Sequence, residues 1–372
     1  MQPRSIDTDE RPFVLIWEVT QACELACRRC RADARPGRHP DELDTDEAKS
    51  LLEEARSFED GQLVVLSGGD PLARDDIYEL VEYGSEIGLR MTMTPSGTAS
   101  LTADRVESLS AAGLKRMALS LDGASPETHD AFRMEAGSFE QTIEAADYAR
   151  SAGHPLQINT TVCAETLSEL PAIAELVDDL GAVLWSVFFL VPVGRGRLLV
   201  PIDPETAEEV MRWLGEINAD SDFGVKTTEA PHYRRVMMQT AVEGAKDRSA
   251  DTADDTARPD RIGRRTGITA GNGFAFVSHT GEVYPSGFLP KSGGTVREAS
   301  IVDIYRESEL FTSLRQKDEL RGKCGACEFR HVCGGSRSRA YAYTGDPLES
   351  DPLCGYVPEG YEGPLPEQAG TP

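Results

Sequence analysis

Cys23, Cys27 and Cys30 stand in the spacing C-x3-C-x2-C within "TQACELACRRC", directly after the apolar run "FVLIWEVT". Three thiolates are one short of a structural zinc site and do not resolve into disulfide pairs. They match three irons of a 4Fe-4S cluster, whose fourth iron is then left without a protein ligand. The missing fourth cysteine is then the functional part of the motif.

Cys324, Cys327, Cys333 and Cys354 form a second group, C-x2-C-x5-C-x20-C. Four thiolates complete either a structural zinc or a fully ligated 4Fe-4S cluster, and spacing alone leaves both open. Cys163 is isolated and reads as a small buried filler. Eight cysteines in 372 residues are too few for a disulfide scaffold, and a reducing compartment keeps them as thiols.

Further candidates lie at the ends of apolar runs. In "LSGGDPL", Gly68 and Gly69 allow close backbone approach and Asp70 offers an acceptor to a charged amine; the same residues also make an ordinary strand-to-helix turn. "LSLDG" places Ser120 and Asp122, and "HDAFR" adds Arg133, a donor suited to a carboxylate. "INTTVC" gives Asn159, a polar side chain at a strand end, and "VPVGRGR" gives Arg195 and Arg197, which suit either an anionic ligand or a solvated loop.

The elements that must position these residues alternate along the chain. "FVLIWEVT", "QLVVLSG", "RMTMTPSG", "RMALSLDG", "LQINTTV" and "VLWSVFFLVP" read as strands, separated by amphipathic helical segments such as "DTDEAKSLLEEARSF" with Asp44 as its cap. This is an α/β pattern, a partial (β/α)6 TIM-like barrel, and in such folds ligand sites collect at the C-terminal ends of the strands. The expected division is an N-terminal extension (1–12), the barrel with a following helix (13–242), an acidic linker (243–262), a small cysteine-rich module opening with a hairpin at Thr280 and Gly281 (263–358), and a disordered tail (359–372).

With 63 acidic and 38 basic residues the formal charge is −25. That field repels nucleic acid and anionic membranes, and concentrated salt screens it, so a halophilic source is expected. The start "MQPRSIDTDERP" lacks the features of a signal peptide and no apolar run approaches the roughly 20 residues of a membrane span, so the reading is cytoplasmic.

The motif Cys23-Glu-Leu-Ala-Cys27-Arg-Arg-Cys30 after a first strand resembles the radical S-adenosylmethionine superfamily. The resemblance implies that S-adenosylmethionine chelates the open iron through its amino and carboxylate groups. The reduced cluster then cleaves it to a 5′-deoxyadenosyl radical that abstracts hydrogen. It implies that Gly68, Gly69 and Asp70 take the place of a Gly-Gly-Glu motif, and that Ser120, Asp122, Arg133 and Asn159 contact the cofactor. Arg29 departs from the aromatic or histidine residue usual before the third cysteine.

The C-terminal set resembles a SPASM or twitch extension and implies one auxiliary 4Fe-4S cluster, because Ser286 and Ser336 stand where such proteins commonly carry cysteines. "WEVTQAC", "CRADA", "GEVYPSGFLP" and "CGGSRSRAYAYTGD" resemble a branch related to haem-biosynthesis enzymes. That branch implies a tetrapyrrole substrate whose propionate loses carbon dioxide, with the auxiliary cluster removing an electron, and a low-potential donor such as ferredoxin or flavodoxin. The alternative enzyme is a peptide or protein maturase; an iron-sulfur electron carrier or zinc-binding module is the reading of another class.

Overall fold

In the computed structural model, which describes residues 7–248 and 267–367, the six apolar runs are strands. They are β1 (Val14–Glu18), β2 (Leu63–Ser67), β3 (Arg90–Met93), β4 (Arg116–Ser120), β5 (Leu156–Val162) and β6 (Leu184–Phe189), each hydrogen-bonded in parallel to the next. Helices connect them. The helix Thr45–Arg56 begins at Asp44, whose carboxylate accepts from Glu47 N in a full capping box, and buries Ala48, Leu51, Leu52 and Ala55 along one stripe.

Strand side chains alternate between two environments. Leu15 and Trp17, Val64 and Leu66, Met91 and Met93, Met117 and Leu119, and Trp185 and Val187 join the helices in the main apolar core. The alternate positions carry Glu18, Ser67, Thr92, Ser120, Asn159 and Ser186, which lie outside that core. One face of the sheet is therefore spent on folding, and the other sets these polar groups among apolar ones such as Ile16, Val65 and Phe188. Ser120, Asn159 and Ser186 are lateral neighbours across three strands of it.

The sheet extends beyond the six expected strands at both edges. β7 (Gly224–Thr228) pairs in parallel with β6; its residues are half-buried or exposed and include Gly224 and Lys226, so no apolar run marks it in the sequence. β8 (Phe274–Val277) pairs in parallel with β1, β9 (Glu282–Tyr284) runs antiparallel to β8 around the Thr280 and Gly281 turn, and β10 (Gly294–Thr295) completes one ten-stranded sheet. The hairpin of the cysteine-rich segment thus covers the open edge of β1.

The N-terminal extension, described from Asp7, is tied down. Tyr305 Oη donates to Thr8 O (2.6 Å), Arg306 Nε donates to Glu10 O (2.9 Å), and Arg315 pairs with Asp9 (3.2 Å). The helix Tyr233–Arg248 runs past the expected start of the linker at 243; the rest of that linker, 249–262, and the last part of the tail, 368–372, lie outside the described residues. Among the described residues no helix is long and apolar enough to cross a membrane.

Candidate functional site

The loop that carries the first three cysteines is bound to the end of β2 through its backbone. Gly69 N donates to Thr20 O (2.8 Å) and Asp70 N donates to Ala22 O (2.7 Å). A Cβ on Gly69 would lie 2.2 Å from Ala22 O, and one on Gly68 would lie 2.4 Å from Thr20 O, so the glycine pair is demanded by this crossing of two backbones. Buried Glu42 holds the loop from the other side, accepting from Thr20 Oγ1 (2.8 Å), Gln21 N (2.9 Å), His39 N (3.1 Å) and Arg38 Nε (2.6 Å). Burial raises the Glu42 pKa, but the donors led by Arg38 outweigh it and hold the carboxyl below its ordinary value.

Cys23 and Cys27 are buried, Cys30 is half-buried, and the three pack with Leu25 and Ala34 in a small cluster of their own. Leu25 N donates to Cys23 Sγ (3.4 Å) and Ala34 N to Cys30 Sγ (3.4 Å). Backbone donors aimed at sulfur suit thiolates that ligate a cluster. Burial pushes the Cys23 thiol up, so a metal's positive charge is what would take its proton. Arg195, from the loop after β6, locks this loop in place: its backbone N–H donates to Cys30 O (2.9 Å), and its side chain donates to Cys27 O (3.0 Å) and Ala34 O (3.0 Å). Arg197 is exposed and, among the described residues, reaches only Pro192 O (3.4 Å).

The residues singled out from sequence lie at the same end of the sheet. Asp70 is buried, accepts from Leu72 N (3.2 Å) and Ser96 N (3.3 Å), and is pushed by burial to a pKa of about 6. Ser96 had no signal in the sequence beyond its place after β3. Its hydroxyl donates to Gly69 O (3.2 Å) and lies 3.5 Å from Cys23 Sγ, linking the glycine turn to the first cysteine.

Asp122 is fully buried, and its carboxylate accepts from Thr161 N (2.8 Å) and Arg29 Nε (2.7 Å), with Arg133 Nη1 at 3.7 Å. Burial raises its pKa, yet Arg29 and Arg133 hold it below the ordinary value. The cation at position 29 is thereby neutralised by a partner 93 residues away in sequence. Arg133 is buried too, and its Nε has no hydrogen-bond partner among the described residues. Ser120 and Asn159 stand side by side on β4 and β5, with Asn159 Oδ1 accepting from Gln157 Nε2 (2.8 Å). Cys163 packs among Phe132, Leu190 and Leu199, and burial pushes its thiol up to about 12, as an inert filler requires.

Cys324, Cys327, Cys333 and Cys354 all line one cavity, together with Arg235, Lys323, Phe329, Arg330 and Tyr356. Sulfur acceptors are again met by donors: Asp351 N (3.4 Å) and Arg337 Nη2 (3.6 Å) on Cys324, Gly335 N (3.3 Å) on Cys333, and Arg235 Nη2 (3.8 Å) on Cys354. Burial pushes Cys354 up to about 11 and raises Cys327 and Cys333 as well. Among the described residues no three Cys, His, Asp or Glu groups close tightly enough on one point to hold a single ion. Four thiols spread around a cationic cavity fit an anionic cluster ligated by all four.

Ser286 and Ser336 meet at one place, although 50 residues separate them: Ser286 Oγ donates to Glu229 Oε1 (2.8 Å) and Ser336 Oγ to Glu229 Oε2 (2.6 Å), with Ser338 Oγ also on Oε1 (2.9 Å). Arg339 fastens this segment to the barrel. It is fully buried and donates to Phe189 O (3.1 Å), Leu190 O (3.2 Å), Glu229 O (2.9 Å) and Asp351 (3.2 Å). Sequence reading passed over Glu229 and Arg339, because their partners come from distant elements.

A family model described as the Radical SAM superfamily matches residues 17–177. The AdoMet-dependent heme synthase of Methanosarcina barkeri is 42% identical over 347 residues, covering 93% of this chain and 97% of that protein. The AdoMet-dependent heme synthase of Nitratidesulfovibrio vulgaris is 40% identical over 361 residues, covering 96% of each. Streptococcus suis SuiB bound to S-adenosylmethionine shares the fold, with a TM-score of 0.67 at 16% identity over 93% of this chain and 78% of that one. Cysteine loop, sheet order and relatives agree, and the chain belongs to the radical S-adenosylmethionine superfamily.

Proposed function

We propose that this protein completes a haem-type macrocycle by removing carbon dioxide from propionate side chains of an iron tetrapyrrole. The observation that carries the reading is a pinned loop of three cysteines, one ligand short of closing a cluster, at the end of the sheet where Asp70, Arg133, Ser120 and Asn159 gather. The substrate class is supported by the two heme synthases that align with nearly the whole chain.

Cys23, Cys27 and Cys30 would hold the 4Fe-4S cluster that, with S-adenosylmethionine, supplies a 5′-deoxyadenosyl radical for hydrogen abstraction. Asp70 would accept from the amine of that cofactor, the unpartnered Arg133 Nε would donate to its carboxylate, and Ser120 and Asn159 would hold the ribose. Asp122 orients Arg133 and Arg29. Cys324, Cys327, Cys333 and Cys354 would hold one auxiliary 4Fe-4S cluster, an acceptor for the electron left when carbon dioxide departs. The serines around Glu229 offer oxygens instead of thiolates, which supports a single auxiliary cluster. A ferredoxin or flavodoxin would deliver the reducing electron in the cytoplasm.

Asp70 makes the binding step pH-dependent. Its carboxyl is protonated below about 6 and gains its charge as pH rises through that value. Affinity for S-adenosylmethionine is expected to rise about tenfold from pH 5 to pH 7 and then level off, while Asp70→Asn gives a flat profile. Equilibrium dialysis of oxygen-free protein checks this; an unaltered slope in the variant would assign the titration elsewhere.

The substrate reading is tested by incubating reduced protein with S-adenosylmethionine and iron coproporphyrin. Mass losses the size of formic acid are expected, one for each propionate converted to vinyl. An unchanged porphyrin alongside released 5′-deoxyadenosine would move the assignment to a peptide substrate.

A further inference from the structure

We propose that Arg31 anchors a carboxylate of the substrate, an assignment that rests on the tetrapyrrole reading above. Arg31 follows the third cysteine by one residue and leans away from the cysteine loop onto the β8–β9 hairpin, its guanidinium carbon 4.5 Å from the centre of the Phe276 ring. Nη1 donates to Glu18 Oε2 (2.9 Å), and the other Glu18 oxygen lies 2.7 Å from His279 Nδ1.

Glu18 ends β1 on the face of the sheet turned from the main core and is 4% exposed. Burial raises its pKa, but Arg31 and His279 overcome that and keep it below the ordinary value, so it is a fixed negative partner. Ring stacking from one side and the carboxylate at one nitrogen set the plane of the guanidinium.

One edge of that plane is left over. Arginine carries five N–H donors in a rigid fork, and among the described residues Glu18 is the one hydrogen-bond acceptor Arg31 meets. Its side chain is 17% exposed, which is open to a ligand yet low enough in water content for a charged hydrogen bond to count.

The walls beside it are aromatic. Phe276 stacks with Tyr284 (6.2 Å between centroids, 23°), and Phe188 at the end of β6 approaches Phe288, in the segment after β9, at 6.2 Å. Gly287, which follows β9, packs its backbone against this corner: a Cβ there would come within 2.9 Å of the buried Phe276 ring and 3.1 Å of the Arg31 guanidinium carbon. A fixed cation with a free fork beside the half-buried rings of Phe188, Tyr284 and Phe288 is complementary to a flat macrocycle bearing acid side chains. A tie between loop and hairpin alone would use the Glu18 edge and have no need of the other.

The experiment titrates oxygen-free, cluster-loaded protein with iron coproporphyrin, and separately with an iron porphyrin that has no acid side chains, following the porphyrin absorbance. Arg31→Gln is expected to bind the tetra-acid about 10- to 100-fold more weakly, the usual worth of a charge-assisted hydrogen-bonded pair, with Arg31→Lys between it and the native protein. The acid-free porphyrin is expected to bind all three alike. Unchanged affinity of Arg31→Gln for the tetra-acid overturns the anchor and leaves the tetrapyrrole reading standing. Equal losses for both porphyrins assign Arg31 a structural role and likewise overturn the anchor. If the native protein binds neither porphyrin, the tetrapyrrole reading fails and the anchor with it.

Discussion

Replacing Cys23, Cys27 and Cys30 together by alanine is expected to lower the iron of anaerobically reconstituted protein from about eight to about four atoms per chain and to abolish release of 5′-deoxyadenosine. The argument is local. The three thiols share one small apolar nest, their loop is held by Glu42, Arg195 and the end of β2, and the second cysteine cavity lies on other elements, so each cysteine set stands on its own scaffold. The auxiliary centre should therefore survive, retaining its absorbance and half of the iron. Replacing Cys324, Cys327, Cys333 and Cys354 should take the other half and leave cofactor cleavage in place while vinyl formation stops. Iron analysis and chromatography of the nucleoside product check both; release of 5′-deoxyadenosine by the first variant would refute the assignment.

Gly69→Ala is expected to cost about 3 kcal/mol of stability and to empty the first iron site selectively. The added methyl group would lie 2.2 Å from Ala22 O and 2.7 Å from Gln21 O, both backbone atoms of the cysteine loop, with no flexible side chain to give way. Relief requires that the loop lift, which breaks the bonds Gly69 N–Thr20 O and Asp70 N–Ala22 O and displaces Cys23 next to them. Chemical denaturation and iron content of the purified variant measure the two effects. Native stability with full iron would show that the glycines serve ligand approach alone.

The parts of this molecule that repeat a pattern were legible in its sequence. Six apolar runs gave β1 to β6, Asp44 capped the helix it was expected to cap, and the hairpin turned at Thr280 and Gly281. β7 was silent because none of its side chains is fully buried, and the parallel pairing of β8 with β1 was silent because backbone hydrogen bonds leave no trace in side-chain type. The site divides in the same way. Cysteine spacing announces thiol ligands directly, whereas Arg29 gained its meaning from Asp122, Ser286 and Ser336 from Glu229, and Arg31 from Glu18, Phe276 and His279. Each of those pairings joins elements that only the folded sheet brings together. The two arginines before and after Cys30 look interchangeable as letters, and the fold sends one to Asp122 and the other to the hairpin.

The most direct measurement is electron paramagnetic resonance of the dithionite-reduced, oxygen-free protein before and after addition of S-adenosylmethionine, run beside the variant lacking Cys23, Cys27 and Cys30. An iron open to the cofactor predicts that one of two cluster signals shifts in the native protein and that the signal remaining in the variant is unmoved. Native spectra indifferent to S-adenosylmethionine, with both clusters loaded, would contradict the account.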